Sequence, residues 1–122
     1  MILSRIAAVS GLYDFVVGAF LLLAADRLAA WFGVAPAVPP IHPTLNGLFL
    51  VAIAIGYIQP WRDPVGHRGY LWIMGVFLKG AGAAIFIADY FVHDSPASFL
   101  LFAASDGTLA AVTLWGLLRT RR

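Results

Sequence analysis

Four apolar segments, at about 3–25, 44–61, 69–93 and 97–118, constrain this chain more than any other feature. A helix needs roughly 20 residues, at about 1.5 Å each, to cross the hydrocarbon of a bilayer. Three segments exceed that length, and the second, at about 27 Å, is barely a span. Composition agrees: 61% of residues are apolar and 11% charged, against about 25% charged in a soluble domain. Mean hydropathy is +0.88. The reading is a single all-α integral membrane domain over 1–122, an antiparallel bundle of four transmembrane helices.

The connecting stretches differ in kind. Leu28-Ala29-Ala30-Trp31-Phe32 reads as a helical continuation at the membrane interface, where tryptophan is favoured. Pro36, Pro39, Pro40 and Pro43 then forbid regular helix, giving a proline-rich outer loop at 33–43. Gln59-Pro60-Trp61-Arg62-Asp63-Pro64 ends the second segment, the turn continues through Gly66 and Gly69, and Ser95-Pro96 starts the last helix. The first segment resembles a secretory signal at its start, but it is longer than a signal core and Asp14 interrupts it. Segments joined by short turns alternate in direction. Arg5, Arg62, Arg68, Arg119, Arg121 and Arg122 then share one side, and only Arg27 lies on the other. Positive-inside bias puts both termini in the cytoplasm, in a bacterial inner (cytoplasmic) membrane.

Three charges interrupt the apolar segments. Asp14, Lys79 and Asp106 each sit near the middle of a different helix, so all three arrive near the bilayer centre. An ionised group there costs about 2.5–3.5 kcal/mol on insertion scales, and mutual pairing offsets part of it. Two acids and one lysine leave one excess negative charge unless a carboxyl holds a proton or a cationic group joins the cluster. Such residues serve either as structural glue between helices or as a ligand or proton-linked site.

Helical spacing suggests the neighbours. Asn46, Leu50, Ile53 and Tyr57 share a face of the second segment, and Trp72, Gly75, Lys79, Gly82 and Phe86 share one of the third. Phe99, Phe102, Asp106, Ala110, Thr113 and Leu117 do so on the fourth. The candidate ligand-binding or proton-linked residues are therefore Asp14, Lys79, Asp106, Asn46, Tyr57 and Trp72. No catalytic residue stands out. The absence of cysteine excludes thiolate metal sites and thiol nucleophiles. His42, His93, Asp89 and Asp94 lack ligand-like spacing and read as interfacial polar residues, so no metal is expected. The net charge of +2 and the arginines' positions at segment ends speak against nucleic acid.

Several of these residues carry a resemblance. Tyr13-Asp14 with Gly18, Asn46-Gly47, Gly56-Tyr57, Asp63-Pro64 with Arg68, Lys79 and Asp106 resemble small bacterial four-helix integral membrane proteins of the DoxX-like kind. Some DoxX-like proteins are similar to subunits of quinone-linked oxidoreductases, which implies a quinone or a membrane partner. The arginine-and-glycine pattern of DoxX helices has no clear copy here, and no activity is carried over. Small multidrug transporters share the length and helix count, but they use a glutamate where this chain has Asp14, and Lys79 would repel cationic drugs. The expected function is binding of a lipophilic or quinone-like small molecule in the bilayer. The alternatives are an accessory or structural subunit of a larger membrane complex and a proton-coupled small transporter acting as a dimer, a homo-oligomer of this chain. No cofactor is identifiable.

Overall fold

The computed structural model describes residues 1–120 and is helical, with no strand among them. Arg121 and Arg122, counted in the charge asymmetry above, lie outside the described residues. Helix α1 spans Ile2–Leu23 and α2 spans Ala25–Phe32. After an irregular stretch come α3 (Ile41–Gly56) and its continuation α4 (Ile58–Arg62). A short turn leads through α5 (Arg68–Tyr70) and a π-helical segment (Leu71–Leu78) into α6 (Lys79–His93). A 3₁₀ turn at Ala97–Phe99 then opens α7 (Leu100–Arg119). Among the described residues four continuous helical stretches are long and apolar enough to cross a membrane: Ile2–Leu23, Ile41–Arg62, Arg68–His93 and Ala97–Arg119.

Two boundaries depart from the sequence expectation. The first helix stops at Leu23, because Ala24 leaves helical geometry with φ −148° and ψ 41°. This break lets α2 turn away as a separate element. Gly33 ends α2 in the left-handed region at φ 76°, a conformation that glycine adopts without steric cost. The second long helix begins at Ile41, so Pro43 lies in its first turn rather than in the loop. Proline is tolerated there because the first-turn N–H groups have no intrahelical acceptor.

Small residues set the packing. At the crossing of α1 and α3, Gly18 and Gly47 face each other. A Cβ on Gly47 would lie 2.7 Å from the Gly18 carbonyl oxygen and 2.8 Å from the Leu22 nitrogen. Only glycine allows the two backbones that close. The other end is tied by polar contacts: Ser4 Oγ donates to the Trp61 carbonyl at 2.5 Å, and the Arg68 guanidinium donates to the carbonyls of Leu117 and Thr120 at the end of α7.

The interior is uneven along its length. Leu3, Ile6, Ala7, Tyr57, Leu71 and Leu117 form one close-packed cluster near the end that holds Ser4 and Arg68. Outward positions are apolar too: Leu12, Phe77, Ile85, Phe91 and Leu101 are all exposed. Aqueous monomers rarely present apolar surface on that scale.

Candidate functional site

The three mid-helix charges meet. Lys79 Nζ donates to Asp14 Oδ1 at 2.6 Å, and Asp106 Oδ1 lies 3.9 Å from the same nitrogen. Asp14 and Lys79 are almost completely enclosed, with side chains 3% and 5% exposed, whereas Asp106 keeps 18%. The Tyr13 ring covers the ammonium from one side at 5.0 Å. Its hydroxyl shares a 2.6 Å hydrogen bond with Ser105 Oγ, next to Asp106 in sequence. Lys79 is therefore satisfied mainly by Asp14, while Asp106 sits beside the pair with acceptor positions to spare.

Beyond the cluster, in the direction of α2, the bundle is hollow. A cavity of ≈ 560 Å³ begins at Asp14, Lys79 and Asp106 and extends to the proline-rich stretch. Val17 and Leu21 of α1, Phe49, Leu50 and Ile53 of α3, and Gly82 and Phe86 of α6 form its walls. Ala25, Leu28, Ala29 and Phe32 of α2 cover it, together with Val34, Ala35 and Ala37. Phenyl rings converge along one side: Phe32 stacks on Phe102 at 4.8 Å, and Phe86 on Phe102 at 5.4 Å. Ser98 Oγ donates to the Phe32 carbonyl at 2.5 Å, which fastens the end of α2 to the start of the fourth long helix.

The remaining sequence candidates divide. Asn46 lines the cavity at its outer end, although its side chain is exposed. Tyr57 does not line it. It is enclosed on the packed side of the cluster, its Cβ against Gly11 and its ring edge-on to Tyr70 at 5.0 Å. Neither its hydroxyl nor that of Ser10, one turn along α1 from Asp14, has a hydrogen-bond partner among the described residues. Trp72 points outward and is 39% exposed, far from the role its α-helical spacing from Lys79 suggested.

The reason for Trp72 is the π segment. A π-helix closes i→i+5 hydrogen bonds and has a wider turn, so positions seven apart no longer fall on one face. Buried positions along this helix instead recur every four residues: Leu71, Gly75, Lys79 and Ala83. In a regular α-helix that spacing drifts about 40° per step. The wide turns end at Leu78 and deliver Lys79 to the interior.

Tyr13 and Ser105 belong to the site although spacing did not mark them. Each adjoins one of the acids, and adjacent positions on a helix point about 100° apart. The only signal was a hydroxyl next to each acid. His93 Nδ1 bonds Asp89 Oδ1 at 2.9 Å and Ser95 also donates to Asp89, well removed from the cluster. Among the described residues no three His, Cys, Asp or Glu side chains are grouped to hold a metal. Chemically, the site can anchor a polar or charged group at its inner end and enclose an apolar body behind it. No protein-family model, curated protein or solved structure matches this chain.

Proposed function

We propose that this chain is a multi-pass membrane protein that holds a lipophilic or quinone-like small molecule in its hollow half, with the polar end at Asp14, Lys79 and Asp106. One observation carries this reading: an apolar cavity of ≈ 560 Å³ that terminates on a buried charge cluster. That volume lies within the roughly 300–1,000 Å³ of small-molecule sites, which are apolar with a few polar groups that fix orientation. If the cluster served only as glue between helices, close-packed side chains around it would suffice. Here the Tyr57 side holds a buried cluster, while the opposite side of the charges opens into the cavity.

In the same reading the four long helices run antiparallel through a bacterial inner membrane. Both ends of the chain and the Arg62–Arg68 turn are cytoplasmic, and α2 with the proline-rich stretch lies at the outer surface. The arginine asymmetry and the apolar outward faces support it. The DoxX-like resemblance forms part of this proposal as a likeness of architecture, with no activity carried over.

The test is native mass spectrometry of the gently solubilised protein. A bound lipophilic molecule is expected on the wild-type chain and not on Ala29→Trp, which fills the cavity from α2. Absence of any added mass, or equal occupancy in the filled variant, would reject the cavity as a binding site.

A further inference from the structure

The charges at the inner end of the cavity are not equivalent, and the difference selects a ligand. Among the described residues Lys79 is the one cation lining the cavity, and it is already engaged: Asp14 accepts from it at 2.6 Å and the Tyr13 ring covers it. Its side chain is 5% exposed, so little of the ammonium is left for an incoming group. Asp106 stands 3.9 Å from Nζ, beyond hydrogen-bond reach, and is the most exposed of the three. With both acids ionised, two carboxylates and one ammonium give the cluster a formal charge of −1, and Asp106, the more distant from Nζ, is the less compensated of the two. Gly82 leaves the approach to that carboxylate open, since even a Cβ there would lie 3.9 Å from Asp106 Oδ2.

We propose, resting on the binding reading above, that the cavity takes a lipophilic amine whose protonated nitrogen pairs with Asp106 while its apolar body occupies the Phe86 and Phe102 side. The sequence alone suggested that Lys79 would repel such a cation. The geometry removes that objection, because Asp14 neutralises Lys79. A carboxylic acid would meet the opposite situation: an engaged ammonium and a less compensated carboxylate. A quinone, which can only accept, would find at the inner end of the cavity only Lys79, engaged by Asp14, and the Tyr13 hydroxyl, shared with Ser105. Burying a cation in an apolar cavity is costly unless it is paired and hydrogen-bonded, and Asp106 supplies both.

Three probes of equal chain length separate the cases: dodecylamine, dodecanol and dodecanoic acid, measured by equilibrium dialysis against purified protein in micelles, with empty micelles as blank. The amine should bind at least tenfold more tightly than the other two. Asp106→Asn should abolish that preference. Gly82→Leu should do the same by covering the carboxylate while keeping its charge, which guards against loss of fold in the first variant. Asp26→Asn, an exposed acid on α2, should leave all three affinities unchanged. Tightest binding of the acid would make Lys79 the anchor and overturn the inference, as would equal binding of amine and alcohol. Either result leaves the cavity itself intact as a lipophile site. Failure of all three probes to bind would instead reject the underlying reading.

Discussion

The unequal distances within the cluster give a quantitative prediction for its two acids. At an effective dielectric of about 20, gross Coulomb attraction is roughly 6 kcal/mol at the Lys79–Asp14 separation and roughly 4 kcal/mol at the Lys79–Asp106 separation. Those separations are 2.6 and 3.9 Å. Asp14→Asn should therefore cost more than Asp106→Asn, by at most about 2 kcal/mol, because relief of the desolvation of the more enclosed Asp14 offsets part of the Coulomb difference. In Asp14→Asn the lysine keeps Asp106, and the amide oxygen still accepts a hydrogen bond, so the protein should fold. The double replacement strands an enclosed ammonium, and removing the partner of a buried charge typically costs about 3–5 kcal/mol. The assay is reversible unfolding by titration with a denaturing detergent in mixed micelles, followed by circular dichroism for the three variants and wild type. If Asp106→Asn destabilises as much as Asp14→Asn, the distances do not report the energetics. If the double matches Asp14→Asn alone, Lys79 does not depend on its acids.

Other consequences are simpler. Gly47→Ala should cost about 1–3 kcal/mol, because its new Cβ would meet backbone atoms of α1 that cannot move independently. Gly80→Ala is the control: the nearest atom to its Cβ is Ala110 Cβ at 3.8 Å, so stability should hold or rise in the same detergent titration. Lys79→Met leaves two acids without a counter-charge. One can take up a proton, so the variant should fold with a modest stability loss, smaller at pH 5 than at pH 8 because acid favours the protonated carboxyl. Equal loss at both pH values would contradict this. Single cysteines at Ser4 and Thr120 should be shielded from an impermeant thiol reagent in intact cells, while one at Ala37 should label. Labelling at both ends would reverse the proposed orientation.

Sequence patterning revealed the four long helices because each is a long, predominantly apolar run. The meeting of Asp14, Lys79 and Asp106 was legible from depth alone, since each lies near the middle of its helix. What it concealed depends on local backbone departures. The break at Ala24 turns α2 over the cavity, yet nothing in Ala24-Ala25 marks a break. The π segment before Lys79 rotates Trp72 outward, and a spacing argument built on 3.6 residues per turn cannot anticipate it. Tyr57 shares a helical face with Asn46, but α3 crosses α1 so closely at Gly18 and Gly47 that its far end turns Tyr57 into the packed core. The cavity itself was invisible, because emptiness comes from how helices splay rather than from any residue type.

Photolabelling tests the central claim most directly. A lipophilic amine carrying a diazirine on its chain, added to the protein in bilayers and irradiated, should modify cavity residues such as Phe86 and Phe102, and an excess of the unlabelled amine should suppress this. Modification confined to outward residues such as Phe77 and Phe91, and insensitive to competitor, would mean that the cavity does not hold a lipophilic amine.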